Sequence, residues 1–556
     1  MRKMVSRGLG IFLLAAIVWP AQAPAADDVV MKAMRDELNR SMKQLQLEQL
    51  EKPYFISYHV QDRNSLEASA TFGALLTGSL SRARFLMVQV RVGDYQRDNS
   101  NFLTDPPRGN GLTETVLLPL DDDYQELRRQ IWLATDIAYK SAIEMLSRKR
   151  AALENRKARE NLPDFSKEPP ATALAPFSPI KMDLAKSEAL VKSLSALFRQ
   201  SPEIYTSSTS LAVNDTRSWY LNSEGSAVTQ ETSGATLTAQ ARTQAVDGTE
   251  LPDWVMASAR SMEALPTESE LAAQIRTMAD RLTRLRQAPV VDRYNGPVLF
   301  DGAAGAEVFS QVFAPKLLAL RVPASDNPQI EEYAAQSVGK LQDRLGARVL
   351  PNFLSIVNDP TQASYQGTPL VGSYAVDDEG VQSRPTTLVE KGYLKTLLNA
   401  RDPVSGIAQS TGSFRSFGAQ PGNLMVMPTE GVSEQELKDD LLNMVKERNK
   451  EFGVIVRGVG RAVYKVFPDG HEELMRLGRF DGMDDGAFKD LAAASRNLTV
   501  YSIPYAAYGG RIFPGQTGAP LVSFVAPSLL FEDITLKPET GDLPRLPLSK
   551  HPFFEK

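Results

Sequence analysis

The chain has 556 residues, too many for one hydrophobic core, so two or three domains are expected. Its 42% hydrophobic and 23% charged residues are those of an ordinary globular protein, and the net charge of −5 is spread without a basic face that would argue for nucleic acid. Cys is absent, which excludes disulfides and thiolate ligands, and the three His (His59, His471 and His551) lie far apart in the sequence.

Arg2, Lys3 and Arg7 precede an apolar run from Leu9 to Trp19 and small residues up to Ala26. This pattern predicts an export signal over residues 1–26, cleaved between Ala23 and Ala26, because the run is too short to span a bilayer comfortably. An uncleaved anchor is the alternative. With no second long apolar run, no stable membrane span is expected after signal cleavage, and the mature protein is expected in the periplasm or outside the cell.

Met31, Met34, Leu38, Met42, Leu45 and Leu47 recur at near-helical spacing and predict a helix over Asp27–Glu51. Tyr54–Val60 and Phe85–Val92 read as strands, with one or two more between Leu66 and Leu80. A helix is expected from Asp121, with Ile131, Ala134, Ile137, Ala138, Ala142, Met145 and Leu146 as its apolar stripe. Residues Arg150–Pro179, charged and then Pro/Ala-rich, predict an exposed connection. A helix over Leu184–Gln200 and strands at Ser207–Val213, from Arg217 into a turn near Ser226, and at Gly234–Ala245 follow, with Asp247-Gly248 turning a hairpin. Thr267 and Glu270 form the signature of a capping box for a helix to Arg286. These patterns make residues 27–287 an N-terminal α+β domain.

Residues 288–540 read as a strand-rich C-terminal domain and 541–556 as a tail. Gly296–Phe300 is a strand leading through small residues into a helix that contains Glu307, Ser310 and Gln311. Hairpins are expected between Ala375 and Arg401, turning at Gly380 and Gly392. Ser433 and Glu436 open a helix to about Lys450. Gly453–Arg457, Ala462–Val466, Glu473–Arg479 and Ser523–Ala526 are further strands, with Asp469-Gly470 as a turn.

Several segments resemble the TldD/PmbA family, two-domain proteins that include zinc metallopeptidases acting on small or unfolded peptides and that were first named modulators of DNA gyrase. They are Tyr220-Leu-Asn-Ser-Glu-Gly-Ser226, Gly296–Gly302, Val376–Leu394 with Leu398–Arg401, Gly412-Ser-Phe-Arg415 with Asn423–Val426, Gly515-Gln516 and Leu530–Lys537, in order over most of the mature chain. The resemblance implies a two-domain α+β architecture. In the metallopeptidase members a helix carries His-Glu-x-x-x-His and a distant Cys completes the site. Imidazole and thiolate suit zinc, three protein ligands leave a place for water, and the Glu acts as general base. The matching positions here are Ser310, Gln311 and Pro315, no Cys exists, and no His lies between Val60 and Gly470. The site is therefore read as metal-free, with no catalytic residue, and Glu307 as a solvated or capping residue.

Other chemistry is sparse. His471 sits in an exposed turn, and Arg457–Arg461 reads as a strand break rather than a phosphate loop. Asp377, Asp378, Glu379, Arg415, Asn423, Tyr505 and Tyr508 are the substrate-binding candidates, as acidic rim, family-motif polar groups and aromatic lining of a peptide groove. The resemblance implies a non-catalytic subunit that shapes a peptide cleft with a homologous zinc-bearing partner, zinc entering only through that partner. A stand-alone peptide hydrolase with a different site, and a self-associating envelope protein that binds peptides as a homodimer, are the alternatives.

Overall fold

A computed structural model describes residues 28–47, 49–104, 113–154, 162–291, 293–476, 478–508, 511–513, 518–538, 549 and 551–554. The expected export signal, Gly515-Gln516 and most of the tail lie outside these residues.

Helix α1 (Val29–Gln44) starts where the Asp28 carboxylate accepts the Met31 N–H, and it ends at Gln44 rather than Glu51, with Leu47 exposed beyond it. Strands β1 (Pro53–Thr71) and β2 (Ala74–Val92) form one long antiparallel hairpin. The expected extra strands between Leu66 and Leu80 are the far half of that hairpin. Residues 74–82 of β2 are mostly exposed, so no hydrophobic alternation marks them as part of the same strand. Next come β3 (Thr113–Leu118), α2 (Tyr124–Glu154), β4 (Thr172–Leu174), α3 (Leu184–Ala196), β5 (Thr206–Asn222), β6 (Ala227–Gln244), β7 (Glu250–Ala259) and α4 (Glu268–Leu285). Among the described residues these strands make a seven-stranded sheet, ordered β3-β2-β1-β5-β6-β4, with β7 also on β6.

Successive side chains of a strand point to opposite faces, and here that alternation separates core from cleft. Ile56, Tyr58 and Val60 of β1 pack in one core with residues of α1 and α2. Leu66, Ala68 and Ala70, further along the same face, pack with residues of α3 and α4. Ser57, His59, Gln61 and Arg63 occupy the other face. The helices are capped as their sequences predict: Asp123 accepts the N–H groups of Gln125 and Glu126, and Thr267 and Glu270 form a reciprocal capping box. Ile137 departs from the expected stripe and is exposed.

The C-terminal part contains β8 (Tyr294–Phe300), α5 (Ala303–Val312), β9 (Leu354–Asn358), β10 (Thr386–Glu390), β11 (Tyr393–Leu394), β12 (Asn423–Pro428), α6 (Glu434–Glu447), β13 (Gly453–Gly458), β14 (Ala462–Val466), β15 (Glu472–Met475), β16 (Arg479–Asp481), β17 (Leu491–Pro504) and β18 (Leu521–Lys537). They build an eleven-stranded sheet among the described residues, ordered β11-β10-β9-β12-β18-β8-β13-β14-β15, with β16 and β17 also paired to β18. The class is α+β with a strand-rich C-terminal region, as expected. Among the described residues no helix is long and apolar enough to cross a membrane.

Of the contacts that join the halves, two bear on the site. The turn at Gly380 meets the Tyr220–Ser226 segment: Ser226 Oγ donates to the Gly380 carbonyl at 3.2 Å and Gln230 Nε2 to the Val376 carbonyl at 3.1 Å. Gly380 has φ +75°, and a Cβ there would lie 2.3 Å from the Tyr220 ring, so the close approach and the backbone both require glycine. The second contact corrects the expectation of an exposed connection over Arg150–Pro179. Within it Asp164, Phe165, Ser166 and Glu168 are buried. Phe165 lies between two guanidiniums, Arg91 at 3.6 Å and Arg401 at 3.8 Å from its ring centre. Arg401 also donates to both Glu224 carboxylate oxygens, at 2.7 and 2.9 Å, and to the Ser166 carbonyl. Those polar residues read as solvated because their partners are remote in sequence.

Candidate functional site

Helix α5, which carries Ser310 and Gln311, is closed into the C-terminal core. Gly305 packs so tightly on β18 that a Cβ would meet the Pro527 carbonyl oxygen at 2.1 Å. Ser310 is 1% exposed, and its hydroxyl donates to the Glu307 carbonyl in the preceding turn at 2.7 Å. Pro315 lies past the helix end, buried in the turn Ala314–Leu317. Gln311 is half-buried. Glu307 is not solvated, contrary to expectation: it is 2% exposed, pairs with Arg461 at 2.6 Å and accepts the Val459 N–H at 3.1 Å. Its apolar-looking helix hid a charge because the compensating arginine arrives from the β13–β14 turn. Ser310, Gln311, Pro315 and Glu307 do not line the cleft described next.

A cavity of about 720 Å³ opens between the two sheets. Ser57, His59, Gln61 and Arg63 from β1, Met87, Gln89 and Arg91 from β2 and Tyr220 from β5 form one wall. The antiparallel register sets His59 opposite both Met87 and Tyr220, which explains their common face. Asp378, Glu379, Asn399, Asp402, Phe414 and Ser416 form the facing wall, and Leu318–Arg321 and Tyr508 complete the rim.

The acidic wall is held by backbone bonds. Asp377 is fully engaged beneath it: one carboxylate oxygen accepts the Glu379 and Val381 N–H groups at 3.0 and 2.9 Å, the other that of Phe414 at 3.0 Å. Asp378 accepts the Ser416 N–H at 2.7 Å and Glu379 the Arg401 N–H at 2.9 Å. Burial, then the charge of Asp402, pushes the Glu379 carboxyl up to about 7. Burial likewise raises Asp402, against the pull of Arg91. His59 is 8% exposed, and burial lowers its pKa, partly offset by Asp378.

Of the substrate-binding candidates, Asp378, Glu379 and Tyr508 line the cleft and Asp377 supports it. The other three do not line it. Arg415 donates to the Leu521 carbonyl at 3.0 Å and lies over the Tyr374 ring. Asn423 donates to the Asp359 and Gln362 carbonyls at 3.0 and 2.8 Å and accepts from Gly372. Tyr505 is 4% exposed, and its hydroxyl donates to the Ser310 carbonyl at 3.1 Å. Polar and aromatic residues that brace loops cannot be told from groove residues by type alone. The sequence reading also missed Gln61, Arg63, Arg91, Arg321 and Asp402 as cleft residues. Alternation along β1 was the one available signal, since it sets Ser57, His59, Gln61 and Arg63 on a single polar face.

Comparisons with known proteins add the following. Residues 293–463 match the PmbA/TldA metallopeptidase C-terminal domain. A metalloprotease of Methanothermobacter thermautotrophicus is 32% identical over 126 residues, 22% of this chain and 26% of that protein. A metalloprotease of Methanocaldococcus jannaschii is 32% identical over 110 residues, 19% of this chain and 23% of that protein. These matches span about a quarter of the curated relatives' length. Over 91% of the chain the fold is similar to a crystal structure described as a modulator of a DNA gyrase from Thermotoga maritima MSB8, with TM-score 0.59, 15% identity and 99% of that chain covered. TldE from Thermococcus kodakarensis is similar over 91% of this chain and 100% of its own, with TM-score 0.57 and 14% identity. At these identities the structural likeness is one of fold.

Proposed function

The chain belongs to the TldD/PmbA family, and from that premise we propose that it is an exported, metal-free subunit that shapes a peptide cleft beside a homologous zinc-bearing metallopeptidase. The observation that carries this reading is the contrast at the family's metal helix. A serine whose hydroxyl is bonded within the helix, a glutamine and a proline do not make a zinc site, since zinc needs about three imidazole, thiolate or carboxylate ligands. Among the described residues no group of three His, Cys, Asp or Glu could hold a metal ion. The cleft between the sheets is nonetheless roomy and polar, with the dimensions of a small-ligand or short-peptide site.

The test is zinc content and peptidase activity of the purified mature chain, alone and mixed with a homologue that keeps His-Glu-x-x-x-His. The expected result is no stoichiometric zinc and no turnover alone, with cleavage of unfolded peptides on mixing. Stoichiometric zinc in the isolated chain would overturn the reading. So would chelator-resistant cleavage by the chain alone, which would support the stand-alone hydrolase, or a stable homodimer that binds peptides and ignores the zinc-bearing homologue.

A further inference from the structure

The cleft's two walls differ in how their charges are compensated. On the acidic wall Asp378, Glu379 and Asp402 face the cavity together. The Arg401 N–H that holds Glu379 belongs to the residue preceding Asp402, so the two carboxyls are brought together by one backbone bond. Three of the neighbouring cations are engaged elsewhere, whereas Arg63 on the opposite wall reaches only the Gln61 amide, at 3.5 Å. Arg401 binds Glu224 and Ser166, Arg91 pairs with Asp98 at 2.8 Å, and Arg321 donates to the Pro163 and Pro403 carbonyls at 3.0 and 2.6 Å. Among the described residues, Asp378 and Glu379 receive backbone N–H groups only and no ion pair joins a cation to Asp378, Glu379 or Asp402.

An independent feature faces this wall. His59 is more than nine-tenths buried yet lines the cavity. Its only hydrogen-bonding contact among the described residues is a long 3.4 Å approach of Nε2 to the Gln61 amide, and its ring packs edge-on against Tyr220. An imidazole that lines open space has a ring nitrogen to offer a polar backbone group of a ligand. Metal chemistry does not account for the cluster, since no set of three ligating groups among the described residues has metal-binding geometry. A compact cation with three donors, matched to carboxylates on one side and a polar sheet face on the other, does.

We propose that this wall is a receptor for a primary ammonium, either the free N-terminus or a lysine side chain of a peptide lying in the cleft. Asp402 and Glu379 take the ammonium, Asp378 adds negative potential at its side, and His59 meets the adjoining peptide backbone. The inference rests on the reading of the cavity as a peptide cleft and adds which chemistry of peptide it selects. Charge-assisted hydrogen bonds in a site screened from water contribute roughly 1.5–3 kcal/mol, or about tenfold or more in affinity. The raised pKa of Glu379 supports the assignment physically. Burial and Asp402 hold the empty wall partly protonated, against Arg401 and Arg91, and a bound cation would draw the proton off.

Calorimetric titration of the full mature chain at pH 7.5 tests it with three capped probes. These are a free-amine trialanine amide, its N-acetyl form, and N-acetyl-Ala-Lys-Ala amide. The first or third should bind about tenfold tighter than the N-acetyl trialanine, and which one does identifies the source of the ammonium. Asp402→Asn should remove that preference. If Asp402→Asn does not fold, the wild-type preference should still weaken severalfold between pH 7.5 and pH 5.5, as Glu379 protonates. Equal binding of all three probes overturns the ammonium receptor but leaves a peptide cleft. No binding of any probe removes both.

Discussion

Helix α5 and the cleft wall at Asp378–Asp402 belong to the same half of the molecule, but they dispose of polar groups in opposite ways. On α5 the groups described are internally satisfied: Ser310 is bonded to its own helix, Glu307 to Arg461 and the Val459 N–H. Along the cleft, Asp378 and Glu379 are held by backbone N–H groups, and among the described residues no direct ion pair joins them to a cation. The helix carrying Ser310 and Glu307 is ordinary core, while the cleft wall carries carboxyls without a direct ion pair among the described residues. Burial is part of the difference, since Glu307 and Ser310 are buried while Asp378, Glu379 and Asp402 are half-buried. The other part is whether a polar atom's partners lie within the protein.

The contrast is broken most severely at Arg401, which belongs to neither region but holds the acidic wall against the N-terminal half. Arg401→Ala removes a buried bidentate pair with Glu224, two bonds to Ser166 and one of the two cations on Phe165. Leaving Glu224 without a cation, with only the Tyr95 hydroxyl and its own turn to hold it, should cost about 3 kcal/mol. The thermal midpoint should fall by several degrees, and limited proteolysis should open within 162–168, since that segment docks through Arg401. Glu307→Ala tests the closed region in the same way. Arg461, 14% exposed in its side chain, loses its 2.6 Å partner and keeps a 3.5 Å approach to Asp253, a 3.3 Å bond to the Val459 carbonyl and its place over the Trp254 ring. A loss of about 3 kcal/mol is expected in chemical denaturation, with peptide binding unaffected. A null effect would show that α5 is not the closed core described above.

How far the sequence foretold this arrangement follows from the range of the interactions. Elements specified by neighbours a few residues apart were readable: the boxes at Thr267–Glu270 and Ser433–Glu436, and the turns at Gly248, Gly392 and Gly470 with their positive φ. The strand β17 was missed because it is largely half-buried without alternation and its register on β18 shifts at Ala494/Leu498. Phe165 and its polar neighbours were misjudged because Arg91 and Arg401 lie far from them along the chain. In the site, the acidic turn at 377–379 was visible, whereas Asp402 and His59 acquire meaning only when two sheets face each other.

The pH dependence of stability sharpens the open side of the comparison. Glu379 carries a folded pKa of about 7, above its ordinary 4.5. The native state therefore binds more protons than the unfolded state between these values. Its contribution to stability is fully present below about 4.5, falls as pH rises through 7, and is flat above. The difference between wild type and Glu379→Gln should follow that course and amount to about 3 kcal/mol at most. Denaturant midpoints of the two proteins from pH 4.5 to 8.5 check it. A pH-independent difference would mean that Asp402 and burial do not act on Glu379 as the geometry implies.

Ser310→Ala is the smallest of these effects and distinguishes a closed site from a dormant one. The Ser310 hydroxyl bonds only to a carbonyl of its own helix, a contact that competes with rather than builds the helical ladder. Removing it leaves the Tyr505 hydroxyl still bonded to the Ser310 backbone and creates space no larger than one oxygen. Alanine is also the better helix former by a few tenths of a kcal/mol. The two terms oppose each other, so the change in stability should stay within about 0.5 kcal/mol of zero, and peptide binding should not move. A Ser310→Ala protein that bound peptide several times more weakly would place the old metal position back in contact with the ligand. The separation between a sealed helix and an open acidic wall would then be lost.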